Sequence, residues 1–365
     1  MEGAIVPCRV KGESNPHMNV LHLITTLDPD GAQRVALELA AMPDVRSTIV
    51  GLREGSGRLR SAAGARGVAV DCLTLGRWDP RLLGQFREVV EAVRPDLIHT
   101  HLPNASFVGR IVGRRSRLPV VSTVHSVTKR SRPDWTWLER VTASVPSTVV
   151  AVSQYVRRDA VDRIGFDADR VRVIPNGLDV ERFRPRGETR DVDLLFVGRF
   201  TRVKGFDRVI PAIMLMQQSN RFRCVAVGEG PEREAWASRA KRLGAMIEWV
   251  GYEERPESWF RRAKVCVVPS RAEAFGLSAA EALAAGCDVI HSGEGALPEV
   301  CGEFGTTLPG PADGMAGLLM DRIVSFRENA ARVEHVLDRF SVESMCRQYR
   351  SVYDECVSNT VESSR

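Results

Sequence analysis

The sequence has no continuous apolar run that approaches the length of about 20 residues needed to cross a bilayer. Residues 1–17 lack the hydrophobic stretch of a secretory signal, and we expect them to form a disordered leader. Together these two absences predict a cytoplasmic protein.

No C-x-x-C spacing occurs among the eight cysteines, which are scattered along the chain. Several lie inside apolar runs, where a free thiol behaves as a small hydrophobic side chain. The sequence therefore indicates neither disulfides nor a cysteine-based zinc site.

A strong excess of charge is also absent, since the net charge is only +5. Lys and Arg are not clustered in alternation with aromatic residues, so no nucleic-acid partner is predicted. The mild positive charge is compatible with anionic ligands or an anionic membrane surface.

What is present is the composition of an ordered globular chain, with 44% hydrophobic and 27% charged residues among 365. This length is sufficient for two domains of ordinary size. Short β-rich runs alternate with longer helical patterns, which is typical of parallel sheets covered by helices. The predicted strands span residues 19–24, 48–52, 68–73, 96–99, 119–124, 148–152, 171–174, 193–197, 223–227, 246–250, 264–268 and 288–291.

A charged stretch with Pro and Gly but no apolar period, residues 182–191, is interpreted as an interdomain linker. It separates an N-terminal domain at 18–181 from a C-terminal domain at 192–341, and a helix in 342–365 is expected to cross back to the N-terminal domain. The predicted fold class is α/β, with two Rossmann-like domains whose parallel sheets face each other across a cleft.

Two glutamates follow the apolar run 265–269 in a strand, loop and helix pattern, with Glu273 in the loop and Glu281 in a helix that begins near Leu277. Free N–H groups of a helix at the carboxyl end of a parallel strand favour an anion. Carboxylates there would repel a phosphate, so they are better suited to accept hydrogen bonds from hydroxyl groups on the same ligand. A nucleotide-sugar carries both kinds of group. The alternative is that each glutamate is an ordinary solvated side chain.

A second cluster follows the predicted strand 193–197, where Gly198 and Arg199 precede Lys204 and Gly205. Glycine lets a ligand approach the backbone, while Arg and Lys neutralise phosphate oxygens. These residues suit a diphosphate, although exposed basic side chains alone would be unremarkable.

These two clusters belong to an ordered set of motifs that resembles the retaining glycosyltransferase family 4, of glycosyltransferase group 1 type and GT-B fold. The resemblance covers the chain from Asn19 to about Val357. The other motifs are Gly31-Ala-Gln-Arg34, residues 96–101, Val124-His125, Val152-Ser153, residues 176–179, residues 228–231, Gly286 and residues 293–299.

The resemblance implies that Arg199 and Lys204 neutralise the donor diphosphate as it leaves, while Gly198 belongs to the donor site as a position where the ligand can approach the backbone. It implies that Glu281 binds the ribose hydroxyls.

Glu273 is implied to hold the transferred sugar. Backbone N–H groups around Phe275, Gly276, Leu277 and Ser278 would hold this sugar and a phosphate.

His125 is implied to contact the sugar from the N-terminal domain, and Gly31 to open a helix N-terminus towards the phosphates. Gly230 and Gly251 are placed at the nucleobase pocket. Asp30, which precedes Gly31 where the family has glycine, is expected to cap that helix.

The implied activity is transfer of a hexosyl residue from a nucleotide-sugar, UDP-linked, to an acceptor hydroxyl. Retention, no metal and no other cofactor are expected, and the acceptor is a small metabolite, a glycan or a lipid-linked saccharide. A nucleotide-sugar epimerase of the same fold and a non-catalytic nucleotide-sugar-binding subunit are the alternatives.

His99, His101 and His125 raise the question of a metal site. H-x-H at a strand end puts alternate side chains on one face, but no fourth ligand is apparent, so none is predicted. A buried structural role is favoured for His99, and His101 is the candidate to face the cleft.

The stretch from Lys129 to Trp137 combines three cations with two indoles, and peripheral contact with the inner membrane surface would use it. The alternative is that its Trp residues dock a helix.

Overall fold

A computed structural model describes residues 18–28, 30–73, 79, 81–127 and 133–363. The predicted leader 1–17 and the basic residues of 129–132 lie outside the described residues. The chain divides into two compact units: unit 1 comprises Met1–Gly177 and Val342–Arg365, and unit 2 comprises Leu178–Ser341.

Unit 1 contains seven parallel strands in the order β3-β2-β1-β4-β5-β6-β7 among its described residues. Its strands are β1 Asn19–Ile24, β2 Arg46–Gly51, β3 Ala69–Cys72, β4 Leu97–His101, β5 Val120–Val124, β6 Thr148–Ala151 and β7 Val171–Val173. Its helices are α1 Gly31–Ala40, α2 Arg58–Gly64, α3 Arg81–Val93, α4 Pro103–Ser116, α5 Pro133–Val141, α6 Gln154–Asp159 and α15 Val342–Ser363, with a π-helix at Ala160–Ile164 and a 3₁₀ turn at Ala168–Arg170.

Unit 2 contains six parallel strands in the order β10-β9-β8-β11-β12-β13. Its strands are β8 Val192–Val197, β9 Cys224–Val227, β10 Glu248–Val250, β11 Ala263–Val268, β12 Asp288–His291 and β13 Gly305–Thr307. Its helices are α7 Val180–Phe183, α8 Ile210–Ser219, α9 Arg233–Leu243, α10 Glu257–Arg262, α11 Leu277–Ala284, α12 Leu297–Cys301, α13 Ala312–Val324 and α14 Ala330–Phe340, with 3₁₀ turns at Arg202–Lys204, Phe206–Arg208 and Gly302–Phe304.

The predicted α/β class with two parallel Rossmann-like sheets is confirmed. The central strands are near-continuous apolar runs because helices cover both faces of each sheet. On helices the apolar residues form one stripe, as in α3, where Leu82, Phe86 and Val89 are buried. β13 was not predicted, because Gly305–Thr307 contains no apolar run.

The segment predicted as a linker, residues 182–191, belongs to unit 2, so the boundary of the compact unit lies earlier, between Gly177 and Leu178. Phe183 is only 1% exposed. Arg190 donates to the carbonyl oxygens of Ala263 and Ala285, both at 2.7 Å. Other charged side chains of the segment form ion pairs with unit 2, as Glu188 does with Arg261 and Asp191 with Arg262.

A buried ion pair joins Asp288, the first residue of β12, to Arg332 of α14. Both residues are 9% exposed, and Arg332 also donates to the Gly286 carbonyl oxygen at 3.0 Å. The arginine compensates the buried carboxylate of Asp288.

Arg332→Ala is expected to destabilise unit 2 by about 3–5 kcal/mol, because it leaves the Asp288 carboxylate buried without its cation. Native-state hydrogen exchange of the β12 amides measures this loss for unit 2 alone. The control is Arg339→Ala, an exposed arginine on the same helix, with an expected loss below about 0.5 kcal/mol. Equal losses in the two variants would contradict the assignment.

Candidate functional site

The strand order of unit 2 creates a crevice between β8 and β11. The chain leaves β8 towards β9 on one side and later places β11 on the other side. In open parallel sheets ligands bind outside the carboxyl ends of strands at such a switch point. The loops concerned are residues 198–205 after β8 and residues 269–276 after β11.

The two loops meet in an ion pair between Lys204 and Glu273, whose Nζ and Oε2 atoms lie 2.8 Å apart. The side chains are 28% and 13% exposed, so the pair is partly shielded but reachable by a ligand. Ser270 Oγ donates to the same carboxylate oxygen at 3.0 Å. The site therefore offers a cation and a carboxylate side by side.

Helix α11 begins directly beside this pair. Gly276, its N-cap, has φ +102°, and the first turn contains no acidic residue. Phe275 is 4% exposed and packs edge-on against Phe340 at 5.3 Å between ring centroids. This packing anchors the start of α11, whose N-terminal N–H groups at Leu277 and Ser278 carry the positive end of the helix dipole.

Arg199 and Glu281, which are also predicted to bind the nucleotide-sugar, differ in exposure. Arg199 is exposed, whereas Glu281 of α11 is only 3% exposed. Both lie in unit 2 with Lys204 and Glu273.

The sequence reasoning missed the residues that fix the two loops together. Arg271 binds Asp207 through two nitrogen–oxygen contacts of 2.7 Å, and its backbone N–H donates to the Val203 carbonyl oxygen at 2.7 Å. Arg271 also donates to the Arg202 carbonyl oxygen at 2.8 Å. Bidentate pairs of this kind hold both position and orientation. Asp207 and Arg271 lie within three positions of Lys204 and Glu273 in the sequence. This proximity was the signal from which their role could have been predicted.

Close backbone packing explains several of the predicted glycines. A Cβ at Gly205 would lie 2.3 Å from the Pro269 carbonyl oxygen, and one at Gly230 would lie 2.3 Å from the Phe200 carbonyl oxygen. Gly198 has φ +159°, and Gly251 accepts a hydrogen bond from the Gly228 N–H at 3.0 Å. Gly230 thus has a structural role here, and the nucleobase pocket stays a prediction.

Two predicted site residues, Gly31 and His125, lie in unit 1 rather than unit 2. Gly31 is the first residue of α1. Asp30 occupies its N-cap with an extended backbone, φ −123° and ψ 178°, but its side chain makes no capping hydrogen bond. Asp30 therefore occupies the predicted N-cap position, but its side chain does not cap the helix.

His125 follows β5 and contacts a buried row of histidines. His101 Nδ1 lies 3.0 Å from His125 Nε2, and His101 Nε2 lies 3.3 Å from His22 Nδ1. His101 is fully buried, which corrects its placement facing a cleft. The sequence reasoning missed His22, because it lies on β1, beside β4 only in the folded sheet.

His99 is also buried, and its ring nitrogens lie 2.7 Å from Tyr353 Oη and 2.7 Å from Thr123 Oγ1. The ligand atoms of His22, His99 and His101 lie within 4.8 Å of one another, a spacing a metal ion could use. Each of the three rings, however, has hydrogen-bond partners. The expectation of no metal therefore stays a prediction.

Outside the histidine row, Trp137 of α5 is 62% exposed, so this indole does not dock a helix. Membrane contact remains a prediction. Among the described residues, no helix combines the length and apolarity that a bilayer crossing needs.

Known proteins match both units. The family model described as Glycosyltransferase Family 4 matches residues 29–182, and that described as Glycosyl transferases group 1 matches residues 191–325. The chain belongs to this glycosyltransferase family. D-inositol 3-phosphate glycosyltransferase 2 of Catenulispora acidiphila is 30% identical over 308 residues, 72% of this chain and 71% of that protein.

Another relative and two solved structures are also similar to this chain. The D-inositol 3-phosphate glycosyltransferase of Thermomonospora curvata is 33% identical over 270 residues, 61% of this glycosyltransferase chain but only 62% of that protein. Anabaena HepE in complex with UDP has the same fold, with a TM-score of 0.81 at 20% identity over 93% of this chain and 100% of that chain. A second HepE structure, with UDP-glucose, has a TM-score of 0.77 at 21% identity over 95% and 100% of the two chains.

Gly295→Ala is expected to lower donor turnover by about 10²-fold, because it displaces the Glu273 loop. The added Cβ would lie 2.0 Å from the Glu273 carbonyl oxygen, at a backbone φ of +69°. Steady-state assays check this. Gly310→Ala, where a Cβ meets no atom within 4 Å, is the control. Wild-type turnover in Gly295→Ala would refute the packing argument.

Burial lowers the pKa of both His22 and His125 to about 3. Both rings are therefore expected to stay neutral in the folded protein between about pH 8 and about pH 5, and imidazole NMR shifts measure this. Unfolded histidines titrate near about 6.5, so the unfolded state binds more protons below that pH. The free energy of unfolding consequently falls as the pH falls from about 6.5 towards 3. A titration midpoint near the ordinary value in either ring would contradict the burial argument.

Proposed function

We propose that this glycosyltransferase moves a hexosyl residue from a UDP-linked sugar to an acceptor hydroxyl, with retention and without a metal. The observation that carries the proposal is the Lys204–Glu273 pair beside the N-terminus of α11, at the carboxyl ends of β8 and β11. Cation, helix N-terminus and carboxylate together match a ligand that carries both phosphates and hydroxyl groups.

The charges match the reaction. Breaking the anomeric C–O bond puts negative charge on the leaving diphosphate and positive character on the sugar ring. Lys204, Arg199 and the α11 dipole stabilise the first charge more in the transition state than in the ground state, which accelerates the reaction. Asp207 and Arg271 hold the two loops in register.

The Lys204–Glu273 pair also indicates how the donor could be bound. A lysine ammonium has three N–H donors, so Lys204 can keep its hydrogen bond to Glu273 and donate to a phosphate oxygen at the same time. Glu273 then has acceptor capacity left for sugar hydroxyl groups. We assign the ribose to Glu281 and a hydrogen bond with the transferred sugar to His125.

The names of similar proteins support the choice of donor. HepE has been crystallised with UDP and with UDP-glucose. The relatives named D-inositol 3-phosphate glycosyltransferase suggest a polar acceptor with many hydroxyl groups. In the proposed mechanism the acceptor hydroxyl attacks the anomeric carbon from the face that the diphosphate leaves, and the leaving phosphate takes the acceptor proton.

A panel of nucleotide-sugars tests the proposal. A UDP-hexose is expected to raise the melting temperature most and to release UDP only when an acceptor is added, with EDTA present. Donor conversion without an acceptor would identify an epimerase. Binding of the donor with no UDP release for any acceptor would identify a binding subunit.

Lys204→Ala and Glu273→Gln are expected to lower turnover by about 10²-fold or more while the protein stays folded, because each removes a group that acts on charge or on the sugar in the transition state. Nucleotide-release assays measure this. Lys264→Ala is the matched control, since that lysine also pairs with a carboxylate, Asp193 at 2.7 Å, but at the start of β11. Full activity of Lys204→Ala or Glu273→Gln would refute its role.

A further inference from the structure

The histidine row of unit 1 continues into a chain of hydrogen bonds that ends at a serine. His22 Nε2 lies 3.5 Å from Ser47 Oγ, the longest contact of the chain. The other two contacts are His22 Nδ1 to His101 Nε2 at 3.3 Å and His101 Nδ1 to His125 Nε2 at 3.0 Å. Ser47 and His125 are therefore connected through two imidazoles.

His99 is outside this chain, although its ring centroid lies 4.0 Å from that of His101. Its two nitrogens bind Tyr353 and Thr123 instead, and Thr123 Oγ1 also lies 3.0 Å from Tyr349 Oη. The two polar networks share the same sheet face but no hydrogen bond.

The number of protons on the neutral rings allows this chain of hydrogen bonds only two fully bonded tautomeric states. A neutral imidazole has one N–H donor and one acceptor nitrogen. When His101 donates to His125, it must accept from His22, and His22 must then accept from Ser47. In the opposite state every bond runs the other way. The tautomers of the three rings are thus coupled.

Ser47 decides between the two states. It is 9% exposed, and within the described part of the chain its hydroxyl has one hydrogen-bond partner, His22. If His22 donated to Ser47, the serine proton would need a second acceptor, and a buried donor without one is costly. In the favoured state Ser47 donates to His22, and each N–H or O–H that lies between Ser47 and His125 then has an acceptor.

We propose that Ser47, His22 and His101 are positioning residues that fix the proton of His125 on Nδ1. His125 then presents an N–H donor at Nδ1 and no lone pair for accepting a proton. The consequence for catalysis rests on the proposed function: His125 would donate a hydrogen bond to an oxygen of the transferred sugar and would not act as a general base.

The surroundings of His125 fit this assignment. Nδ1 has no hydrogen-bond partner among the described residues, so it is the nitrogen left for a ligand. The ring lines a small cavity together with Ser106, Glu139 and Ile164. Glu139 is the titratable neighbour in this cavity, and it is paired with the buried Arg110 at 3.4 Å.

Long-range ¹H–¹⁵N correlation spectra of the ¹⁵N-histidine-labelled protein test the proposal directly, since they distinguish a protonated Nδ1 from a protonated Nε2. The expected result for the wild type is Nδ1–H on His125. A wild-type ring protonated on Nε2 would overturn the proposal. So would a shift of the His22 and His101 resonances on addition of one equivalent of Zn²⁺, because the row would then be a metal site.

Variants distinguish an effect of the hydrogen-bond chain on His125 from an effect of general packing. His101→Leu removes the donor that fixes the His125 proton, so that proton is expected to be distributed between Nδ1 and Nε2. His101→Asn, whose amide can replace the Nδ1–H group, is expected to keep it on Nδ1. Tyr353→Phe is the control, because it removes a buried hydrogen bond to His99 only, and His125 should not change. An unchanged tautomer in His101→Leu, or a change in Tyr353→Phe, would overturn the coupling.

Kinetics give the second readout. His101→Leu is expected to lower kcat/KM for the UDP-sugar by about 10-fold, the value of one hydrogen bond, with His101→Asn close to wild type. Inhibition by UDP should stay unchanged in both, because UDP lacks the sugar. Weakened UDP binding in His101→Leu would indicate a merely structural role and count against the proposal. If the tautomer is as expected but His125→Ala transfers sugar normally, the proposed role of His125 fails while the tautomer assignment holds.

Discussion

The contact between the loops that follow β8 and β11 is the constraint on which the candidate site depends. Neighbouring parallel strands bring both loops to the same edge of the sheet, and the Arg271–Asp207 pair then locks them. Only this arrangement puts the ammonium of Lys204 and the carboxylate of Glu273 within 2.8 Å. Neither loop alone brings a cation and a carboxylate together at this edge of the sheet.

Charge inside unit 2 is consistently compensated where it is removed from water. Arg332 binds Asp288 and the Gly286 carbonyl oxygen, and Arg190 binds two backbone carbonyl oxygens. Guanidinium groups suit this task because several fixed donors satisfy more than one acceptor. The Lys204–Glu273 pair differs, since it stays partly exposed and its lysine keeps donors available.

The histidine row of unit 1 is stabilised in another way. His22, His99, His101 and His125 are neutral because burial lowers the pKa of each ring, and hydrogen bonds take the place of ion pairs among them. A sheet face with imidazole and tyrosine groups is tolerated only when the buried polar atoms have partners. Helix α15, the last element of the chain, supplies two of those partners, Tyr349 and Tyr353.

Most of the fold was predictable because its signals are local. An apolar run such as Val265–Val268 forms a buried strand wherever it lies, and Gly276 before Leu277 marks a helix start within a few residues. The edge strand Gly305–Thr307 was not predictable, since its short polar sequence pairs only because β12 is already in place. The inclusion of residues 182–191 in unit 2 was not apparent from the sequence for a related reason: Arg190 meets its carbonyl partners only in the folded unit.

By itself, the sequence determined the succession of strands and helices along the chain apart from β13, the family and the chemical groups of the candidate site, because these follow from neighbouring residues. The tertiary structure alone decided which distant residues meet. Arg271 and Asp207 are separated by 64 positions, His22 and His101 by 79, and His99 and Tyr353 by 254. No local pattern records such pairings, since strand order, register and helix docking bring these side chains together only when the whole unit has folded.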